Sequence, residues 1–517
     1  MALRKLPIGI QDFPSLREDG YLYVDKTAFV YKLASEGRVY FLSRPRRFGK
    51  SLLLSTIGAY FEARKDLFHG LAIEELEQDW IEYPVLRLDL NAALYDSPEA
   101  LNGILNSHLC RWEERFGDPS PDEDSLPRRF LGVLRRAETV TGRRAVVLVD
   151  EYDKPLLQTI GKPELHETYK AILKAFYGVL KSADAHLRFV LLTGVTKFGQ
   201  VSVFSDLNQL KDISLHPAYA AVCGITELEL FDNFRPELER LAEKQKLSFE
   251  AALSEVRRTY DGYRFHQDGP DLYNPFSTLN LLDRLEFVDY WFQTGTPTFL
   301  VELLKQTDTD LREIDGIELD APDFADYRLD ADTPLPVIYQ SGYLTIKGYD
   351  PRYRRYRLGY PNAEVKNGFL NFLLPNFTGA PKGRGGFFIG KFSEELEAGD
   401  VDAFLTRLRA FFEGIPYDLN DQTERHYQVV FYLVFTLLGQ FLQTELKSAN
   451  GRADAVVWTP THVFVFEFKL NGTAEEALAQ IEAKGYAVSW AADGRTVVKV
   501  GVEFGKKTRN LGRWLIA

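Results

Sequence analysis

Cysteine is scarce in this chain of 517 residues, which contains only Cys110 and Cys223. Two cysteines cannot form a disulfide framework or a zinc ribbon, so both are interpreted as packing residues in a reducing cytoplasm. No apolar run approaches the roughly 18 residues of a membrane-spanning helix, and the N-terminus lacks the apolar stretch of a signal peptide. These absences predict a cytoplasmic protein with no membrane partner.

Positive charge is also in deficit, because the formal net charge is −12. This balance argues against non-specific coating of nucleic acid, although local basic clusters can still bind it. Three clusters stand out: Arg44, Arg46 and Arg47; Arg352, Arg354, Arg355 and Arg357 around Tyr353 and Tyr356; and Lys506, Lys507 and Arg509. The second could bind phosphate and stack on bases, but an exposed strand with one basic face is the preferred interpretation.

The remaining composition is that of a soluble globular protein, with 45% hydrophobic and 26% charged residues. The length predicts two or three domains, each large enough to bury a core.

A β-hairpin is predicted near the C-terminus. Two β-branched and aromatic runs, 453–458 and 463–468, flank the loop Thr459-Pro460-Thr461-His462. Pro460 is incompatible with the primed two-residue turns, so a four-residue loop around a type I turn is expected. The centre of this loop places Asp454 opposite Glu467, with their Cβ atoms about 4.5–5.5 Å apart.

Asp454, Glu467 and Lys469 form a candidate metal-dependent nuclease site, since strand alternation puts Lys469 on the face of Glu467. Two adjacent carboxylates repel unless a cation lies between them, and their oxygens suit Mg²⁺ or Mn²⁺. Such a metal would activate water, while Lys469 would stabilise the charge of the transition state. The alternative is an edge hairpin with a polar face. The apolar run 463–466 favours the nuclease, because charges in a buried strand are costly without partners.

A phosphate-binding loop is predicted near the N-terminus. The order strand 39–43, loop 44–49 and helix 50–61 is the one that such a loop requires. Gly49 lets the backbone approach the phosphates, Lys50 reaches the β and γ oxygens, and Ser51 can bind Mg²⁺. A strict motif would have glycine at Arg44. The predicted ATP-binding residues here are Arg46, Arg47, Gly49, Lys50, Ser51 and Leu52.

A second nucleotide-site motif follows the apolar strand 145–149, which ends in Asp150 and Glu151. Asp150 would hold Mg²⁺ and Glu151 would polarise the attacking water. Asp153, Lys154 and Lys197 are interpreted as residues of solvated loops.

The hairpin region resembles the PD-(D/E)XK nuclease core, with Ala453-Asp454 as its first half-motif and Glu467-Phe468-Lys469 as its second. The resemblance implies a glutamine on the following helix, here Gln480, with Tyr486 a poorer match to the accompanying tyrosine. It also implies a further acid. Glu445 is preferred over Glu424, so the implied metal ligands are Glu445, Asp454 and Glu467.

The whole chain is similar to a bacterial family with an AAA-ATPase-like N-terminal region and a PD-(D/E)XK C-terminal region. The matching segments include LPIGIQDFPSLREDGYLYVDKT, RPRRFGKSLLLST, VVLVDEYDKP, LLTGVTKFG, YDGYRF, YNPFS, TGTPTFL, YQSGYLTIKGYD and YPNAEV. The resemblance implies that Thr196 senses the γ-phosphate. It also implies an α/β fold, in which a P-loop parallel sheet and a helical lid region precede an α/β nuclease-like domain.

Three domains are expected: an ATPase domain at 1–230, a lid and connecting domain at 231–378, and a nuclease-like domain at 387–517. Helices are predicted over 231–260, 392–412 and 422–442, with a flexible linker at 379–386. Arg264 could reach a nucleotide or brace its own turn.

These patterns lead to one main functional hypothesis, an ATP-dependent or ATP-regulated Mg²⁺ nuclease acting on DNA. A role in defence against mobile DNA, or in its maintenance, is a hypothesis within this interpretation. The alternative is a nucleotide-switched binding protein in which an inactive nuclease fold is a docking module. A third interpretation, a DNA-translocating motor, would require a homo-oligomer, which the sequence leaves open.

Overall fold

A computed structural model describes most of the chain, namely residues 4–91, 93–197, 209–292, 300, 304, 311–325, 334–378, 385–415, 424–446, 454–470, 472–490, 494–505 and 510–517. The chain divides into two compact units. The first comprises Met1–Thr307 and Gly316–Glu364, and the second comprises Asp308–Asp315 and Val365–Ala517. The three domain ranges given above stay predictions.

In the first unit, the described residues form helices and three sheets of five, three and two strands. Its α-helices are α1 Phe13–Glu18, α2 Thr27–Glu36, α3 Lys50–Phe61, α4 Ile73–Leu76, α5 Pro98–Phe116, α6 Leu126–Thr141, α7 Lys154–Gln158, α8 Pro163–Ser182, α9 Glu227–Gln245, α10 Phe249–Tyr260, α11 Pro275–Arg284, α12 Ala321–Ala325 and α13 Leu335–Gln340. Short 3₁₀ helices are Lys65–Phe68, Asp184–His186 and Pro217–Tyr219. Its strands are β1 Val39–Ser43, β2 Val85–Asp89, β3 Ala145–Asp150, β4 Leu187–Gly194, β5 Lys211–Asp212, β6 Ile225–Thr226, β7 Leu272–Tyr273, β8 Glu318–Asp320, β9 Thr345–Asp350 and β10 Arg355–Gly359.

A five-stranded parallel sheet in the order β2-β3-β4-β1-β5 forms the centre of this unit. The predicted strands at 39–43 and 145–149 are confirmed, and both are buried along their length. Continuous apolar strands are typical of a parallel sheet covered on both faces. One large core packs α5, α6 and α8 against the sheet. The carboxyl ends of β1, β3 and β4 therefore meet at one sheet edge, which is where ligands bind in open α/β sheets.

The region after this sheet contains the predicted helical segment 231–260, which is two helices, α9 and α10. Each has a side-chain N-cap, supplied by Thr226 and Ser248. Strands β8, β10 and β9 then form an antiparallel sheet. In β10 the exposed residues Arg355 and Arg357 alternate with Tyr356, as the strand pattern predicts.

The second unit contains a five-stranded mixed sheet in the order β11-β12-β13-β14-β15. Its strands are β11 Gln443–Leu446, β12 Ala455–Trp458, β13 His462–Leu470, β14 Thr496–Gly505 and β15 Asn510–Ile516. Its helices are α14 Ala363–Thr378, whose first two residues belong to the first unit, α15 Gly385–Glu397, α16 Val401–Glu413, α17 Glu424–Leu438, α18 Ala474–Ala483 and the 3₁₀ helix Val488–Trp490. Among the strands of this sheet that the structure describes, only β13 and β14 pair in parallel, and α18 forms the crossover between them.

The single helix predicted over 392–412 is wrong, because the chain there forms two helices, α15 and α16. Gly399 adopts a φ of +79°, a left-handed conformation that does not continue a right-handed helix. Asp400 then caps α16 by accepting a hydrogen bond from the Ala403 amide at 2.9 Å. Most of the predicted linker, residues 379–384, lies outside the described residues.

Among the helices that the structure describes, none is long and apolar enough to cross a membrane.

Candidate active sites

The first site lies at the carboxyl end of β1, where the loop 44–49 leads into α3. Gly49 has a φ of +93°, a left-handed conformation that favours glycine at this turn into the helix. Arg47 also has a positive φ, +67°, which is unusual for a residue with a side chain. The predicted order of strand, loop and helix is confirmed, with β1 ending at Ser43 and α3 beginning at Lys50.

Arg44 is a structural residue at the position where a strict phosphate-binding motif has glycine. Its guanidinium is buried and donates to the carbonyl oxygens of Ser43 at 2.9 Å, Ser214 at 2.8 Å and Tyr219 at 3.1 Å. It also stacks over the Phe265 ring at 4.1 Å. Because the side chain points away from the loop into these acceptors, arginine is compatible with this position.

Lys50 is held at the base of the loop by three oxygen atoms. Its ammonium donates to the carbonyls of Arg44 at 3.0 Å and Pro45 at 3.2 Å, and it lies 3.3 Å from Glu151 Oε1. Glu151 has a φ of +52°, which costs about 1–3 kcal/mol for a residue with a side chain. The predicted phosphate-binding lysine and the predicted catalytic acid therefore form an ion pair.

Asp150 lies next to Ser51, as expected for a shared magnesium site. The Asp150 carboxylate accepts hydrogen bonds from the hydroxyls of Thr193, at 2.8 Å, and Ser51. Burial and the charge of Glu151 raise the pKa of Asp150. A hydroxyl and a carboxylate side by side are oxygen ligands that fit Mg²⁺.

Asp153 is a buried residue, so its interpretation as part of a solvated loop is wrong. Its carboxylate accepts from the amides of Val195 at 3.2 Å and Thr196 at 2.6 Å, and from the Thr196 hydroxyl at 2.6 Å. Burial and the neighbouring Glu151 raise the pKa of Asp153. The Thr196 hydroxyl, predicted to sense the γ-phosphate, is thus directed at Asp153. Nothing in the sequence around Asp153 indicated that it would contact Thr196.

Other polar residues of this unit also acquire structural partners. Lys197 is buried and lies 2.6 Å from Asp212, so its solvated-loop interpretation is wrong as well. Half-buried Lys154 donates to Asn91 and lines the cleft described below. Arg264 donates from two nitrogen atoms to Asp271, both at 3.0 Å, which supports the turn-bracing interpretation.

The basic hairpin 350–357 matches the preferred interpretation of an exposed strand. Tyr353 is 59% exposed, whereas Tyr356 packs on the rings of Phe324 at 4.5 Å and Tyr349 at 4.7 Å. Arg355 donates to Asp320 at 2.8 Å. Acidic residues on the neighbouring strand therefore offset part of the positive charge. The third basic cluster, residues 506, 507 and 509, lies outside the described residues.

A cleft of about 760 Å³ opens over the phosphate loop. Seven predicted site residues line it: Arg46, Arg47, Gly49, Lys50, Ser51, Leu52 and Glu151. The remaining wall comes from the N-terminal segment, from the region of α7 and from α11, and includes Pro7, Ile10, Leu157, Ile160, Phe276 and Leu279. Sequence reasoning did not identify these residues as part of the site.

The second site lies in the mixed sheet, and its predicted loop centre is confirmed. Strands β12 and β13 pair Ala455 with Phe466 and Trp458 with Val463, so Asp454 is the next residue in register with Glu467. The Asp454 carboxylate accepts from the Phe468 amide at 2.9 Å. The hairpin thus places the two predicted acidic ligands opposite each other, beside the first residue of β12.

Gln480 connects the two motif residues of β13. Its side-chain carbonyl accepts from Lys469, and its amide nitrogen donates to Glu467. The Lys469 ammonium lies 3.6 Å from Glu467, which is 2% exposed. The glutamine implied by the family resemblance therefore bridges the base and the acid. Tyr486, the poorer match, lies instead in the core with Val456 and Ile481.

The metal ligands predicted here are carboxylates, which fit Mg²⁺ or Mn²⁺. Glu445 lies in β11, where its backbone pairs with Val456, but its side chain is outside the described residues, as is that of Glu424. Across the part of the chain that the structure describes, no group of three or more His, Cys, Asp or Glu side chains is placed to hold a metal ion. Asp454 and Glu467 are thus the described part of the predicted ligand set.

Gly501 is a site residue that sequence reasoning missed. It is the parallel partner of Glu467 on β14, and a Cβ there would lie 2.5 Å from the Ala474 carbonyl and 2.8 Å from the Leu478 amide. Glycine lets α18 pack closely on the sheet beside Glu467. This close approach allows Gln480 to reach both partners.

We expect Gly501→Ala to destabilise the second unit by about 1–3 kcal/mol, because the added methyl group must push α18 away from β14. The free energy of unfolding from urea titration is the measurement. Gly390→Ala is the matched control, since Gly390 lies within α15 and a methyl group added there would meet no heavy atom within 4 Å. Helix propensity predicts that this control is neutral or stabilising. Equal stability of both variants would contradict the packing argument.

Family models match the two parts of the chain that contain these candidate sites. Residues 7–204 match the family model described as a predicted AAA-ATPase, and residues 422–514 match the PD-(D/E)XK nuclease superfamily. A protein of Azotobacter chroococcum mcd 1, named "Uncharacterized protein in vnfD 5'region", is 38% identical over 525 residues, covering 99% of this chain and 98% of that protein. The Aeropyrum pernix ORC1 protein, solved in complex with DNA, matches with a TM-score of 0.23 and 10% identity, covering 66% of this chain and 90% of that chain.

Proposed function

This chain belongs to the family of proteins that join an AAA-ATPase-like N-terminal region to a PD-(D/E)XK nuclease region, and we propose that it is an ATP-dependent or ATP-regulated nuclease that hydrolyses phosphodiester bonds in DNA. The single observation that carries the proposal is the contact network of Glu467, Lys469 and Gln480 beside Asp454. A hairpin with a purely structural role does not require a buried acid, a lysine and a second acid in register.

The nuclease residues have distinct roles in this proposal. Asp454 and Glu467 would hold Mg²⁺ or Mn²⁺, with Glu445 as the proposed third ligand. A bound divalent ion supplies Lewis acidity toward the scissile phosphate and lowers the pKa of water. The Lys469 ammonium stabilises negative charge on the phosphate in the transition state. Gln480 orients both Lys469 and Glu467, because each contacts one end of the same amide group.

The nucleotide residues bind ATP and prepare it for hydrolysis. Backbone amides of the loop and the Lys50 ammonium bind the phosphates, while Ser51 and Asp150 would hold Mg²⁺. Glu151 orients the attacking water. Since Lys50 and Glu151 pair at 3.3 Å, phosphate binding to Lys50 weakens that pair and makes Glu151 available to water. Thr196 is proposed to contribute to sensing the γ-phosphate through its link to Asp153.

The apolar wall of the cleft gives a surface for the nucleobase. Phe276 presents an aromatic ring with the Arg47 guanidinium 5.1 Å from its centroid, and Ile10 and Pro7 supply aliphatic surface. Stacking and apolar contact of this kind bind the base, whereas the polar end of the cleft binds the phosphates. We propose that the protein works in the cytoplasm, without a membrane partner, and that a homo-oligomer is compatible with this mechanism.

The proposal is tested by incubating wild-type protein with linear, circular and single-stranded DNA, with Mg²⁺ or Mn²⁺, in the presence and absence of ATP. We expect metal-dependent cleavage whose rate changes with ATP. Absence of cleavage on every substrate, combined with measurable ATP binding, would contradict the nuclease proposal and favour the nucleotide-switched binding protein. Cleavage at one rate with and without ATP would contradict the regulatory part alone.

A further inference from the structure

Trp291 is attached directly to the phosphate loop. Its indole N–H donates to the carbonyl oxygen of Arg46 at 3.2 Å. The loop is also supported at the preceding residue, because Gly342 packs on Pro45 so closely that a Cβ at residue 342 would lie 2.6 Å from the proline Cβ. Arg46 itself lines the nucleotide cleft. Trp291 therefore holds the Arg46 carbonyl group in the loop that is proposed to bind the phosphates.

Glu364 fixes the position of Trp291. This side chain is 1% exposed, and its Oε1 atom accepts from the Trp291 backbone amide at 2.8 Å. The same oxygen accepts from the Ser277 hydroxyl at 3.0 Å. Ser277 belongs to α11, and its neighbour Phe276 lines the cleft. One buried carboxyl group thus links the loop side of the cleft, through Trp291, with the α11 side.

Glu364 also has a particular place in the chain. Glu364 is the last residue of the first unit. Its peptide bond leads to Val365, where the segment Val365–Ala517 of the second unit begins. A displacement of Glu364 therefore moves the point at which the chain enters the nuclease-containing unit. No side-chain contact across that boundary is needed for this effect.

We propose that Trp291 and Glu364 are positioning residues that align the phosphate loop with α11 and pass the nucleotide state to the start of the second unit. The inference rests on the proposed ATP-regulated nuclease, because it names the residues through which ATP would regulate cleavage. When bound phosphates pull the loop backbone toward them, the Arg46 carbonyl moves. The hydrogen bond from Trp291 to that carbonyl, and the one from the Trp291 amide to Glu364, transmit this movement to residue 364.

Glu364 acts through hydrogen bonds of an uncharged carboxyl group and not through an ion pair. Burial raises the pKa of its carboxyl group to about 8, with a contribution from the negative charge of Asp289, so the neutral acid predominates at pH 7. A neutral acid that accepts hydrogen bonds through one oxygen can be replaced by an amide. Glutamine is therefore expected to preserve the contacts of residue 364, and alanine to remove them.

The test compares Trp291→Phe, Glu364→Gln and Glu364→Ala in the full chain. Loss of one hydrogen bond predicts about two- to tenfold weaker binding of a fluorescent ATP analogue for Trp291→Phe. Glu364→Ala is expected to weaken binding at least as much and to abolish the response of cleavage to ATP, while Glu364→Gln retains both. Trp112→Phe is the control, because Trp112 is buried in the core of the same unit.

Hydrogen exchange gives a readout that does not depend on activity. Amides of residues 44–52 are expected to exchange faster in Trp291→Phe and Glu364→Ala than in wild type, and at the wild-type rate in Glu364→Gln and Trp112→Phe. Unchanged exchange and ATP affinity in Glu364→Ala would overturn the inference. If wild type binds no ATP, the proposed function fails, whereas the exchange data still decide whether Glu364 positions the loop.

Discussion

Lys469→Ala is expected to lower the rate of DNA cleavage about 100- to 1000-fold, the loss that follows removal of one preorganised group from a developing charge. Its ammonium lies 3.6 Å from Glu467 and donates to Gln480, so its position is set by the fold before substrate binds. Alanine removes this ammonium, which in the proposed mechanism offsets negative charge on the phosphate together with the bound metal ion. Initial cleavage rates at saturating Mg²⁺ are the measurement.

Two companion variants make this result specific. Asp454→Asn is expected to lose at least as much activity as Lys469→Ala, because it removes a carboxylate charge from the proposed metal site. Lys391→Ala is the matched control, since Lys391 belongs to the same unit and forms an exposed pair with Glu394 at 2.5 Å. ATP turnover should be preserved in all three. Wild-type cleavage by either Lys469→Ala or Asp454→Asn would show that this hairpin is not the catalytic site.

Glu151→Gln is expected to reduce ATP hydrolysis about 100- to 1000-fold while ATP binding is retained or becomes tighter. The amide cannot act as a base toward water, a role typically worth about 100- to 10,000-fold in rate. The variant also removes the negative partner that lies 3.3 Å from Lys50 and competes with phosphate for that ammonium. Steady-state phosphate release and titration with a fluorescent ATP analogue measure the two effects separately.

Controls for the second prediction come from the same unit. Lys50→Ala should lose ATP binding as well as hydrolysis, because it removes the positive charge from the phosphate loop. Glu164→Gln changes an exposed glutamate at the start of α8 and should leave both quantities unchanged. Equal hydrolysis by Glu151→Gln and wild type would assign the catalytic base to another residue. Binding weakened as strongly as in Lys50→Ala would contradict the competition between Glu151 and phosphate.

Several features of both sites could be predicted from the chain alone because they depend on neighbours in sequence. Strand β1, the loop with Gly49 and helix α3 follow from one continuous segment. The register of Asp454 and Glu467 follows from the loop between their strands, since loop length sets the pairing of a hairpin. The break between α15 and α16 was missed, although its cause, the left-handed Gly399, is also local.

The contacts that depend on distant residues were not predictable in this way. From the sequence, Arg44 departs from the phosphate-loop motif. The structure explains this departure, because the Arg44 guanidinium donates to the carbonyl oxygens of residues 214 and 219. Asp153 looked solvated, but the segment after β4 folds over it and supplies three donors. The polar character of a side chain indicates that it needs partners when buried, but it does not indicate whether or where it is buried.

The sequence by itself indicated the α/β class through its family resemblance, contained the phosphate-loop and nuclease motifs, and predicted which residues would bind phosphate and divalent metal. Periodicity, turn chemistry and hairpin register act over a few residues, so they are readable without the fold. Only the tertiary structure decided that Lys50 pairs with Glu151, that Gly501 brings Gln480 to Glu467, and that Glu364 joins Trp291 to Ser277. Those contacts join segments far apart in the chain, and their geometry exists only once the packed core has set the distances between elements.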